Sequence, residues 1–352
     1  MRFRVSIVGT GKTEPALDSE EGQELIEKLC EGPVRKSDIS SELFEKFTRV
    51  RAVREENGEC FLNFTCFTAR DIEILNRECD LSGRDLAGNL LKKVNLHPPK
   101  GLSFEEVSWK KSLFFLVGCV CLDWYALRVF DQLGLLLPEE QKKKAGYGDY
   151  TLFANEDIPR NLEKLYWGSH NMKYGSFWFT SFGDHANTRR TFPDISWMIS
   201  SFSGDEVIAM VSSRMVDNYM KKIAKHVVER SWKGTGFQEV LEKLSYVKDN
   251  EIAIPVFIKR DIPRIKHLIS EVISVLHEWL GHEIRSIKKS FRDLTPNRFG
   301  VDFKEVMLHI WHYMFGHTNK HLSSDERFFD PYSEESEFKG FLPVIHESGC
   351  FF

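Results

Sequence analysis

No Cys-x-x-Cys pair occurs anywhere in these 352 residues. The seven cysteines are odd in number and scattered, and Cys60, Cys66, Cys119 and Cys121 sit inside apolar runs. That pattern excludes a disulfide framework and points to a reducing, cytoplasmic setting. No secretory leader is legible, because Met1-Arg2-Phe3-Arg4-Val5 opens a strand-like run with no apolar core behind it. A membrane-length apolar run is missing too. The longest uninterrupted one, Leu113 to Leu122, has half the residues needed to cross a bilayer, so it is expected as a buried helix and no membrane partner is implied. Internal repeats and low-complexity tracts are absent, which excludes solenoids and extended linkers. Neither sign of charge dominates: 48 Lys and Arg against 52 Asp and Glu leave a net charge of −4. Any nucleic-acid surface must therefore be a local patch.

What the chain does have is ring mass, with 28 Phe, 8 Trp and 9 Tyr among 42% hydrophobic residues. Its most ordered pattern is in the first ~65 residues. Asp18 and Ser19 can cap a helix whose apolar stripe is Leu25, Ile26, Leu29 and Cys30, and Gly32-Pro33 stops it. A short polar segment leads to a second amphipathic run with Ile39, Leu43, Phe44 and Phe47 at helical spacing. Two strand-like runs then flank Asn57-Gly58, the strongest short-range hairpin signal, and a two-residue turn there pairs Val53 with Leu62 and Arg54 with Phe61. Helix, short helix, helix and hairpin is the order of a winged helix, a module that most often binds DNA.

Between Pro33 and Arg54 lie Arg35, Lys36, Lys46, Arg49, Arg51 and Arg54 against Asp38, Glu42 and Glu45. Phosphate contacts supply most non-specific DNA affinity, so these six cations are the expected DNA-contacting residues, with Ser41 placed to reach a base edge. The wing tip, Glu55-Glu56-Asn57-Gly58-Glu59, is acidic and instead suits a protein partner.

Further along, helical periodicity covers Ala69–Cys79, Gly83–Asn95, Phe104–Leu135, Val207–Trp232, Ile262–Phe291 and a run opened by Asp302 and Glu305. Aromatic strand-like segments occupy about residues 150–185, among them Tyr150-Thr151-Leu152-Phe153 and Ser176 to Phe182. There, Trp167, Ser169, His170, Asn171, Asp184 and His185 place polar groups at the ends of aromatic strands, the make-up of a small-ligand pocket. The same groups can hold a metal, exchange protons, or satisfy buried backbone. No nucleophile-plus-base spacing accompanies them, so they are read as ligand-binding, with no catalytic residue, metal or cofactor assigned. Two other motifs lose to structural readings. Ser6 to Thr13 misses the phosphate-loop pattern by its first glycine, and Pro15 follows where the phosphate-binding helix must run. His277 and His282 are five apart, not the four a zinc-protease helix requires, and His309, His312 and His317 read as packing residues with polar handles.

The chain resembles a family of bacterial and archaeal proteins with an N-terminal winged helix and a long C-terminal domain of unassigned role. The likeness rests on Phe61-Leu62-Asn63-Phe64 with Phe67-Thr68, Cys121-Leu122-Asp123-Trp124, Leu165 to Asn171, Thr180 to His185, Phe192-Pro193-Asp194, and Trp311 to Asn319. The resemblance implies a transcription regulator. The expected fold is α+β: a winged helix over 1–67, then a mainly helical domain over 68–352 with a small inserted aromatic sheet. The expected function is a cytoplasmic DNA-binding regulator whose larger domain senses a small-molecule effector or forms a homodimer. The alternative is a small-molecule-binding protein or enzyme with its site in residues 166–185 and the winged helix as scaffold or protein-interaction module.

Overall fold

In the computed structural model, residues 2–138, 140, 143–144, 148–157, 167–184, 213–333 and 340–351 are described. The fold is α+β. Its main helices are α1 (Glu20–Glu31), α2 (Ser41–Arg49), α3 (Ala69–Lys93), α4 (Trp109–Gln132), α5 (Ser213–Glu229), α6 (Gly236–Lys243), α7 (Ile262–Ser290) and α8 (Phe303–Ser323). The chain forms two units, each assembled from three stretches of sequence. Unit 1 takes residues 1–82, 127–164 and 279–314; unit 2 takes 83–126, 165–278 and 315–352. This interleaving differs from the linear division expected at residue 67, because strands distant in sequence share sheets.

Unit 1 opens with β1 (Phe3–Gly11) and a 3-10 turn (Pro15–Asp18). The near-miss phosphate loop is therefore extended strand and not a loop feeding a helix. Ser19 caps α1 by accepting the Gly22 N–H at 3.1 Å, and Glu20 and Glu21 follow in the first turn, where the helix dipole favours anions. After β2 (Val34–Arg35) and one 3-10 turn (Lys36–Asp38), Ser40 caps α2 through the Leu43 N–H at 3.3 Å. The hairpin of β3 (Val53–Glu56) and β4 (Glu59–Leu62) pairs Val53 with Leu62 and Arg54 with Phe61. Asn57 and Gly58 take φ of +56° and +83°, the left-handed pair a two-residue turn needs. β4 is the middle strand of a sheet ordered β2-β4-β3.

A second sheet in this unit is built on β7 (Gly148–Glu156), which pairs antiparallel with β1 and parallel with β5 (Thr65–Phe67). The short β6 (Lys143–Lys144) pairs with it as well. Cys66, Tyr150, Leu152 and Ala154 on one face share a core with Leu25, Ile26, Leu29, Leu43 and Phe47 of α1 and α2. On the other face Phe67 meets Tyr313 edge-on at 6.1 Å and Phe153 lies 4.5 Å from the His309 ring. His309 is a core histidine, as its spacing suggested. Burial, with His312 beside it, pushes its pKa well below the usual value, so the ring is neutral. Asp71 ties α3 to the chain before α8, accepting the Thr68 N–H at 2.8 Å and the Thr295 N–H at 3.0 Å.

Unit 2 is layered around β12 (Val256–Phe257), β13 (Phe341–Glu347), β9 (Phe177–Asp184) and β8 (Trp167–Tyr174), hydrogen-bonded in that order. The aromatic segments near 150–185 thus belong to two sheets and not one inserted sheet: β7 lies in unit 1, β8 and β9 in unit 2. One face of the unit 2 sheet carries Tyr174, Phe179 and Ile345, which join Met220, Ile223 and Trp232 in a core. The other face carries Trp167 and Phe182, packed on Phe114 of α4 at 5.8 and 5.3 Å.

From Phe115 to Tyr125, α4 is a π-helix; the Ala126 N–H bonds the Cys121 carbonyl five residues back. Such stretches are rare and gather at functional sites. Among the described residues α4 is the helix long and apolar enough to cross a membrane, and 72% of its apolar window is buried inside the protein. That matches the buried helix expected from the sequence. The helical patterns expected over Ala69–Cys79 and Gly83–Asn95 are a single helix, α3, running through Gly83. A Cβ at Gly83 would lie 2.8 Å from the Thr318 N, so glycine is there for close approach and does not break the helix.

Gly118 is the tightest point of the π segment. A Cβ there would sit 2.4 Å from Asn319 Oδ1 and 2.8 Å from a Phe182 ring carbon, and Asn319 is anchored by its Nδ2 on the Phe315 carbonyl at 2.9 Å. Gly118→Ala is expected to cost about 1–3 kcal/mol through forced displacement of packed neighbours. Urea denaturation followed by tryptophan fluorescence measures this; an unchanged midpoint contradicts the packing.

Candidate functional site

The strand register sorts the polar residues expected at 166–185. Trp167 lies opposite Asp184, Ser169 opposite Phe182 and Asn171 opposite Thr180, so these share the face that packs on α4. Strand alternation puts His170 on the other face, where it is exposed. His170 therefore leaves the group, and His185 lies outside the described residues. Asp184, although on the shared face, is four residues along β9 from Thr180, about 13 Å at strand rise. It is buried and accepts a hydrogen bond from the Tyr332 hydroxyl at 2.5 Å, while Trp167 contacts the Tyr332 ring edge-on. The expected single rim is thus two separate groups.

The larger group is a continuous hydrogen-bonded line. The Thr180 hydroxyl donates to Asn171 Oδ1 at 2.7 Å, and Asn171 Nδ2 donates to Ser169 Oγ at 3.1 Å. Trp124 Nε1 donates to the same Ser169 oxygen at 2.8 Å. Ser169 in turn hydrogen-bonds the Asp123 carboxyl through both its hydroxyl and its backbone N–H. At the far end His346 Nε2 stands 3.2 Å from Thr180 Oγ1. Because the Thr180 proton is committed to Asn171, this contact assigns the proton to His346 Nε2. Every donor in the line consequently points toward Asp123.

Both ends are electrostatically perturbed. Asp123 Oδ2 is buried without a hydrogen-bond partner, and burial pushes the carboxyl up to about 7 in spite of the two Ser169 bonds that favour its anion. The residue as a whole is only partly buried, and it is the carboxyl end that is shut off from water. Burial pushes His346 down to about 4, so its ring is neutral. Trp178 stacks on that ring at 6.4 Å, and Trp124 and Phe351 close on it at 5.7 and 5.2 Å. Cys119 sits near Asp123 and Ser169, but burial raises its thiol pKa well above the usual value, which makes it a poor nucleophile. A near-neutral carboxyl joined to aromatic walls by a polarised line can accept a proton or hold a donor-bearing ligand. Among the described residues no cluster of three or more His, Cys, Asp and Glu suits a metal ion.

Sequence reasoning found Ser169 and Asn171 but missed Asp123, Thr180 and His346 as members of the group. The signal for His346 was available: Phe341-Leu342-Pro343-Val344-Ile345 is a short apolar run bounded by turn residues, the mark of a buried strand.

In unit 1 the expected DNA-contacting residues run from β2 and the 3-10 turn through α2 to β3, and most already have anionic partners. Lys36 bonds Glu55 at 2.9 Å, Lys46 bonds Glu42 at 2.6 Å and Arg49 bonds Glu45 at 3.2 Å. These contacts hold the Glu42 and Glu55 carboxyls below their usual range. Arg35 stands opposite Glu59 in the β2–β4 register. Arg54 is structural: it bonds Glu56 at 2.8 Å and donates to the carbonyls of Leu62 at 3.2 Å and Phe299 at 2.8 Å. Counted through the wing tip to Glu59, six cations meet six carboxylates, so the excess of positive charge up to Arg54 is cancelled. Ser41 is exposed at the start of α2, one residue past the capping Ser40. Arg51 is exposed and takes φ of +58°, ending α2 in the left-handed region, with its carbonyl held by Asn63 Nδ2 at 3.0 Å.

No family model, curated protein or solved structure matches this chain.

The Asp123 carboxyl makes a pH prediction. A carboxyl whose folded-state pKa is raised binds its proton more tightly folded than unfolded, so stability falls as pH rises from about 4 to about 7 and is level above that. Asp123→Asn is expected to flatten this fall and to melt higher than wild type at pH 8. Thermal melts at pH 5 and pH 8 measure it; the same pH slope in both proteins contradicts the raised pKa.

Proposed function

We propose that the chain is a cytoplasmic regulator of the winged-helix type, contacting DNA with its N-terminal unit and sensing a small molecule with unit 2. The observation that carries the reading is the β2-β4-β3 sheet laid on α1 and α2, with its hairpin closed at Asn57-Gly58. In this reading α2 is the recognition helix, Arg35, Arg49 and Arg51 are the phosphate contacts, and Ser41 and Lys46 flank them. The exposed ion pairs of Lys46 and Arg49 are no obstacle, since such pairs are worth about 0–1 kcal/mol each and phosphate can replace the carboxylate. The cancelled surface charge limits the number of contacts, so affinity is weak and its salt dependence shallow.

A second reading, a small-molecule-binding protein or enzyme, is favoured by the line from His346 to Asp123. There the ligand lies against Trp124, Ser169 and Asn171, and the N-terminal unit is a scaffold or a protein-interaction module.

Fluorescence anisotropy with mixed-sequence duplex DNA tests the first reading. Three phosphate contacts predict that raising salt from 50 to 200 mM weakens binding about 40-fold. Arg51→Gly removes one cation at a backbone position that favours glycine, so it is expected to keep the fold, weaken binding and lower the salt slope by about 1. Binding absent at low salt, or a slope unmoved by this substitution, overturns the DNA reading.

A further inference from the structure

The surface between α1 and α2 has a different character from the arginines at the α2 C-terminal end. Two adjoining cavities of about 380 and 520 Å³ lie between α1 and α2 and share Glu21, Ser40 and Leu43, so they form one groove within unit 1. Its floor is apolar, made by Leu25, Ile39 and Leu43 with Ala16 at one end. Its rim is anionic: Glu20, Glu21 and Glu24 line the α1 wall, and Asp38 and Glu42 the other. Lys28 and Lys46 are the cations on this rim, and Lys46 is bonded to Glu42.

The three α1 carboxylates are all exposed and make no ion pair or hydrogen bond among the described residues. Glu20 and Glu21 favour the helix dipole, but Glu24 lies beyond the first turn, one helical turn from both, so the α1 wall is a row of three anions. Each cavity has the volume of a site for one or two side chains, within the ~300–1,000 Å³ typical of ligand pockets. This rim repels phosphate and attracts a segment that carries Lys or Arg.

We propose that this groove docks a basic amphipathic segment of a partner protein: one or two apolar side chains on Leu25 and Leu43, flanked by Lys or Arg that pair with Glu20, Glu21 and Glu24. Apolar anchors supply the affinity and the anionic rim supplies selection and encounter rate. The inference does not rest on the DNA reading. It gives the N-terminal unit an anionic groove between α1 and α2 in addition to the exposed arginines Arg49 and Arg51.

The experiment titrates fluorescein-labelled 12-residue peptides into the full chain. One peptide alternates Lys and Leu, a second replaces Leu with Gly at the same charge, and a third replaces Lys with Glu. The Lys/Leu peptide is expected to bind, to weaken with salt, and to lose about tenfold or more in affinity, or 1.4 kcal/mol, to the Glu21→Lys/Glu24→Lys variant. Both positions are exposed, and circular dichroism verifies that the variant is folded. Equal binding of the Lys/Gly peptide, or no loss in the charge-reversed variant, overturns the proposal. Sedimentation of the protein alone gives the remaining outcome: self-association abolished by the same variant overturns it in favour of a second copy of this chain.

Discussion

The register of the β3–β4 hairpin is the constraint on which the N-terminal unit depends. Side chains alternate along a strand, so a slip of one residue would turn Val53, Cys60 and Leu62 from the core to solvent and bring Arg54 and Phe61 inside. The left-handed pair at Asn57-Gly58 prevents the slip. With β4 fixed, β2 has one position beside it, and α2, in the chain between β2 and β3, brings Leu43 and Phe47 into the same core as Leu62.

Unit 2 is governed by the same alternation with a different outcome. Trp167, Ser169 and Asn171 on β8 and Thr180, Phe182 and Asp184 on β9 must all face α4, and polar and aromatic residues are interleaved along both strands. The rings pack, and the polar groups between them must find partners within the sheet face. They do so as a chain ending on Asp123, inside the π-helical stretch of α4. The buried carboxyl is thereby held by Ser169, shielded from water and shifted toward neutrality. The carboxylates on the α1–α2 groove differ in being exposed to solvent.

Local features of both units are legible in the amino-acid sequence. The hairpin register, the cap of α1, the α2 core residues Leu43 and Phe47, and the burial of Leu113 to Leu122 follow from turn chemistry and periodicity within short windows. The partner of each strand does not. β1 pairs with β7 across well over a hundred residues, and β9 lies between β8 and β13, which no local pattern encodes. The site is only half legible for the same reason: Ser169 and Asn171 stand out as polar residues among rings, whereas Asp123 and His346 join them only once β13 and α4 are placed. Counting charge in the linear sequence up to Arg54 also overstates the cationic patch, because the hairpin folds Glu55 and Glu59 back against Lys36 and Arg35.

Hydrogen–deuterium exchange of the full chain, with and without duplex DNA at low salt, tests the central claim most directly because it locates contact without altering the protein. The account predicts added protection at residues 35–36 and across the α2 C-terminal turn through Arg51, with the hairpin tip at Glu55 to Glu59 unchanged. Protection confined to the wing tip, or none in residues 33–54, would contradict it.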